Sequence, residues 1–104
     1  GAAVLEVGGG GDGKVLKSVM QALAKAAPNR PLMLFSQGDG KAACVAQTPK
    51  GSALKANEWL AAALKAGGGR GGGKADAAQG QLPDASKLPE VTAAAAAFAE
   101  DALK

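Results

Sequence analysis

Residues 67–73 hold six glycines in seven positions, with Arg70 inside the run and Lys74 directly after it. No hydrophobic core calls for that composition. Glycine loses more backbone entropy on folding than any other residue, so it is tolerated where φ must be positive or where another group must approach the backbone closely. The run therefore divides the chain into what must end before it and what must begin after it. Two cations on so bare a backbone suit an anionic partner, most simply a phosphate backbone. A glycine-rich connection with two solvated cations accounts for the same composition, and the residues alone leave both readings open.

On either side of the run the apolar pattern is legible. Residues 2–7 read as a short strand that Gly8–Gly11 break, and Asp12 is placed to cap a helix from about Lys14 to Ala26. Val15, Leu16, Val19, Met20 and Leu23 form one helical stripe, with Lys14, Lys17, Gln21 and Lys25 elsewhere on the helix. After Pro28 and Pro31, Leu32–Phe35 is apolar throughout, as a buried strand would be. Gln37–Lys41 predicts a hairpin turn, Ala42–Gln47 the returning strand and Pro49–Ser52 a loop. Asn57 is the expected N-cap of a helix carrying Trp59, Leu60, Ala63 and Leu64 on one face, and Gly67 its expected left-handed C-terminal cap. A short strand around Asp76–Leu82 follows the glycine loop. A connection from Pro83 to Pro89 then leads to a last helix, Pro89–Leu103, with Val91, Ala94, Ala95, Phe98 and Ala102 at helical spacing. The expected fold is α+β: a single domain with a small mixed sheet covered by about three helices. Alanine supplies much of the 47% apolar content, so the core should be thin.

Charge and residue types narrow the chemistry. The net +3 is uneven: residues 1–50 carry +3, residues 51–81 +2 and residues 82–104 −2, which predicts a positive side. The chain has no His, which removes most nucleophilic and general-base schemes and leaves no Cys/His set for zinc. The lone Cys44 permits no internal disulfide and, inside a predicted strand, reads as a small buried hydrophobe. Asp12, Asp39, Asp76 and Asp84 fall in turns or loops, where turn and capping roles explain them without metal binding or acid catalysis. No apolar run reaches a bilayer span and no signal peptide is visible; the first residue is Gly rather than Met, so a fragment or processed product is expected.

Two glycine patterns resemble nucleotide fingerprints. Gly8-x-Gly10-x-x-Gly13 follows a predicted strand and opens a helix, but no acidic residue directly ends the second strand and no further βαβ units complete a dinucleotide fold. Gly68-x-x-x-x-Gly73-Lys74 matches most of a P-loop, but Ala75 stands where the magnesium-ligating hydroxyl belongs and the run follows a helix instead of a strand.

The stretch from Gly68 to Gly80, with its Asp76 and Gln79 ending, resembles the signature of the C-terminal domain of alanyl-tRNA synthetases, a domain of the DHHA1 type. Leu54–Leu60 is similar to the segment leading into the preceding helix of that family, particularly in eukaryotic cytosolic members. The order of elements agrees over nearly the whole chain. The resemblance implies that residues 1–104 are a C-terminal tRNA-binding or oligomerisation domain of a larger alanine–tRNA ligase, without chemistry of its own. Alanine activation, transfer and editing, with their ATP and zinc, would belong to upstream domains, and this domain needs no cofactor. It would grip the elbow of tRNA-Ala and help bring aminoacylation and editing to one tRNA. On that reading Arg70 and Lys74 contact phosphate or ribose, and Gly71, Gly72 and Gly73 allow close approach. Gln79 orients the loop or touches a nucleotide, while Lys65 and Lys55 extend the positive field. The alternative is a dimerisation or docking module with weak or general nucleic-acid binding, including DNA. The implied setting is the cytoplasm, an organellar form being the other, with no membrane contact.

Overall fold

The computed structural model describes residues 2–8 and 10–104. Its elements are β1 (Ala3–Glu6), α1 (Gly13–Ala26), β2 (Leu32–Gly38), β3 (Lys41–Gln47), α2 (Ala56–Lys65), β4 (Arg70–Gly73), β5 (Ala77–Leu82) and α3 (Leu88–Ala102), with a short 3-10 turn at Ala85–Lys87. The strands form one sheet in the order β1-β2-β3-β5-β4, parallel between β1 and β2 and antiparallel elsewhere. The expected α+β architecture is thus the observed one. The β1–α1–β2 unit is a genuine parallel crossover, with the first glycine cluster at its strand-to-helix turn.

Strand alternation builds two cores of unequal size. Met33, Phe35, Ala42, Cys44, Ala46, Ala78 and Leu82 face α2 and α3, where they meet Leu54, Trp59, Leu60, Leu64 and Val91. Leu32, Leu34 and Val45 face α1 through Leu16 and Met20. The predicted face of α2 is right in full, since Trp59, Leu60, Ala63 and Leu64 are wholly buried. Burial of each such leucine is worth roughly 2 kcal/mol. The indole Nε1–H of Trp59 donates to the Ala95 carbonyl at 2.8 Å, which satisfies the buried donor and ties α2 to α3. Of the predicted α1 stripe, Val15 is 41% exposed because α1 presents a narrower face than the stripe suggests.

Asp12 caps α1 as expected, its carboxylate accepting from the Lys14 N–H at 2.8 Å. The β2–β3 hairpin turns on Asp39 and Gly40, both at positive φ, as an Asp-Gly pair allows. Three local expectations are corrected. Asn57 is not the N-cap of α2: Lys55 is, without a side-chain bond, and Asn57 accepts from the neighbouring Glu58 N–H. The first turn of α2 is held from outside instead, by the Ala56 N–H donating to the Ala75 carbonyl at 2.7 Å. The left-handed residue after α2 is Gly68 (φ 74), not Gly67, and the Gly69 N–H closes back on the Leu64 carbonyl at 2.8 Å. Most consequentially, the glycine run is not a loop along its length. Arg70–Gly73 is strand β4, an edge strand paired antiparallel with β5. The turn at Gly8–Gly11 holds where it is described, at residues 10 and 11; Gly9 lies outside the described residues.

Candidate functional site

The two faces of the sheet are covered unequally. α2 lies over β3, β4 and β5, whereas α1 lies over β2 and β3 on the opposite face. The α1-side face of β4 and β5 is therefore left open. The register lays out its floor. Ala43, Gln81 and Arg70 stand in one row across β3, β5 and β4, and Val45, Gln79 and Gly72 in the next. Residues 79 and 81 share this face because strand side chains repeat every second residue.

Three adjoining depressions of about 560, 550 and 460 Å³ run along this floor, joined by shared residues: Arg70 and Gln81 line two of them, Gln79 and Lys17 two. Together they make one groove. Its far rim is β4, with Arg70 at one end and Lys74 at the other. Its near rim is α1, from which Lys14, Lys17 and Gln21 reach the lining. Lys41 and Asp39 stand at one end. Asp12 also lines the groove, but its carboxylate is engaged in capping α1. Trp59 and Phe35, both wholly buried, lie on the other side of the sheet, and Phe98 packs against that same core. The groove thus offers cations, amides and bare backbone, with no ring for a base to stack on among its described residues.

The turn that positions Lys74 is pinned from two sides. The Ala75 carbonyl accepts from both the Ala56 N–H and the Thr48 hydroxyl, at 2.7 and 3.0 Å, and the Lys74 N–H donates to the Ala77 carbonyl at 2.7 Å. The near end is pinned by the buried Ser36, whose hydroxyl accepts from the Gly11 N–H at 3.0 Å and donates to the Gly8 carbonyl at 3.2 Å. The α1 N-terminus beside it already holds a carboxylate, that of Asp12, where a dinucleotide fold would place pyrophosphate.

The glycines divide by face. A Cβ on Gly71 would come within 2.6 Å of Leu60, and one on Gly80 within 2.6 Å of Leu64, so both are needed for the β4–β5 hairpin to lie flat on α2. At Gly72 a Cβ would meet nothing within 4 Å, because that position faces the groove. Close approach to a partner is therefore available at Gly72, whereas Gly71 is occupied in packing. At Gly73, with φ 156, a Cβ would strike the Ala77 carbonyl oxygen.

Of the site residues read from the sequence, Arg70, Gly72, Gly73, Lys74 and Gln79 meet at the groove, whereas Gly71 packs on α2. Lys55 and Lys65 do not line it. Lys65 is the last residue of α2 and Lys55 its N-cap, on the opposite face, Lys55 beside a separate depression with Lys50 and Asp76. Lys14, Lys17 and Gln81 line the groove too, outside the glycine signature and the site expected from it. The signal was present: Lys14, Lys17 and Gln21 follow helical spacing on one face, and Gln81 follows Gln79 by two. Among the described residues no group of three or more His, Cys, Asp or Glu could hold a metal, and no helix is long and apolar enough to cross a membrane. Cys44 is 1% exposed, and burial pushes its thiol pKa well above the ordinary value, so it stays protonated and inert, as a small core residue. Asp84 caps the 3-10 turn; the Ser86 hydroxyl and then the Ser86 N–H hold its carboxyl below the usual range.

Known proteins resemble this chain in sequence and fold. Residues 1–101 match the DHHA1 domain family. The alanine–tRNA ligase of Pseudomonas entomophila is 36% identical over 96 residues, covering 90% of this chain and 11% of that protein. The chain thus spans about a tenth of the length of the curated relatives it matches over most of its own length. The crystal structure of the C-Ala domain from Aquifex aeolicus alanyl-tRNA synthetase superposes with a TM-score of 0.73 at 25% identity, over 98% of this chain and 87% of that one. RecJ from Thermus thermophilus, solved with Mn2+, shares the fold at a TM-score of 0.70 and 23% identity, over 94% of this chain and 14% of that one.

Proposed function

Because the chain belongs to the DHHA1 domain family, we propose that it is the C-terminal, non-catalytic module of an alanine–tRNA ligase, and that its open groove binds tRNA at the elbow. The observation that carries this reading is the groove between α1 and β4, where Arg70 and Lys74 flank Gln79 on a face without helix cover. Arg70 presents a planar fork of donors to phosphate oxygens, and Gln79 offers both donor and acceptor to a ribose hydroxyl or base edge. RNA corners are read by shape, by 2′-hydroxyls and by backbone contacts, which a groove of this composition can supply. Holding the elbow would keep one tRNA within reach of aminoacylation and editing centres in upstream domains of the same enzyme, in the cytoplasm. A fold shared with RecJ does not decide among ligands; the side chains on the open face are what support this reading.

Binding of a tRNA-Ala transcript, a second tRNA and a DNA duplex, each at several salt concentrations, tests this. Arg70 and Lys74 as two phosphate contacts contribute about −1.4 to the log–log salt slope on the single-strand coefficient. The double variant Arg70→Ala/Lys74→Ala should lose that part of the slope. Unchanged tRNA affinity in this variant would refute the reading. The dimerisation alternative gains nothing from the Trp59 face of α2, which is wholly buried.

A further inference from the structure

We propose that α1 forms the second half of the same interface: Lys14 and Lys17 hold the phosphates of one RNA strand against the sheet, so that the strand runs between α1 and β4 with Gly72 as its point of closest approach. This rests on the nucleic-acid reading above and extends it to an element that the glycine signature does not include.

Charge, spacing and room all support it. Lys14 and Lys17 are one helical turn apart on the face of α1 that lines the groove; both are exposed, and neither forms an ion pair among the described residues. Opposite them stand Arg70 and Lys74. Both rims are therefore positive, while the acids nearby are committed or peripheral: Asp12 caps α1, and Asp39 sits in the turn at one end. Four cations around a floor of Gln79, Gln81, Ala43, Val45 and Gly72 repel one another unless an anion lies between them. Each depression falls within the ~300–1,000 Å³ typical of small-ligand sites, and their continuity suits a strand better than a single small molecule. Without an aromatic ring on the floor, the strand is held by its backbone and sugars rather than by stacked bases.

The test is equilibrium binding of a tRNA-Ala transcript to the whole chain from low to moderate salt, for Lys14→Ala/Lys17→Ala and for Lys55→Ala/Lys65→Ala. The first pair should weaken binding on the order of tenfold at ~0.1 M salt and reduce the salt slope by about 1.4, while the second pair should leave both unchanged. Lys14→Arg/Lys17→Arg should restore binding, and circular dichroism should show the alanine pair folded. An unchanged slope in the Lys14/Lys17 variant with a reduced slope in Arg70→Ala/Lys74→Ala would overturn the second rim and leave the first reading standing. Flat responses in both variants would overturn both. A DNA duplex competing as well as the transcript would overturn the RNA strand as occupant.

Discussion

Gly71 and Gly72 are neighbours on β4 that meet opposite surroundings. The space at Gly71 is filled by Leu60 of α2, while that at Gly72 is open to the groove. The same contrast runs through the hairpin. On the closed face Gly71 and Gly80 let the backbone rest on a helix whose Trp59, Leu60 and Leu64 are wholly buried. On the open face Arg70, Gln79 and Gln81 are exposed over a gap that α1 only partly spans. One glycine-rich sequence has both properties: it makes a strand thin enough to lie against a helix and bare on its open face.

Substitutions can separate the two faces. Trp59→Ala should cost about 4 kcal/mol, through lost burial and the broken link to Ala95, seen as a lower urea midpoint. Gly80→Val should follow at about 3 kcal/mol, because Leu64 and the Arg70 carbonyl leave no room for a side chain. Asp12→Ala should cost about 1 kcal/mol, the worth of a cap on α1, in the same assay. Gly72→Ala should change stability by less than about 0.5 kcal/mol, since its position is open. A destabilisation at Gly72 as large as that at Gly80 would erase the distinction between the faces. A native Cys44 thiol should not react with a disulfide reagent at pH values around 8 until the protein unfolds, because burial on the closed face keeps it protonated.

Much of this was legible in the sequence. The Asp12 cap, the hairpin at Asp39–Gly40 and the buried face of α2 could be read because each depends on local residues: a carboxylate before a helix, an Asp-Gly pair, four apolar residues at helical spacing. β4 was not legible. Four residues of which three are glycine have no alternation to read, and they are a strand only because β5 pairs with them and α2 supports them. Nearness in sequence groups Lys55 and Lys65 with Arg70, but they sit across the sheet. Lys14 and Lys17, far from the glycine run in sequence, arrive at the groove through the parallel crossover. Which cations converge is decided by topology, which spacing along the chain does not show.

The most direct measurement is a map of backbone amide shifts by NMR as a tRNA-Ala transcript is added at low salt. The largest changes are expected on Arg70–Lys74, Gln79, Gln81 and the first turns of α1, with the exposed side of α2 and α3 quiet. Changes concentrated on α2 and α3, with the groove silent, would contradict the assignment of the open face as the binding surface.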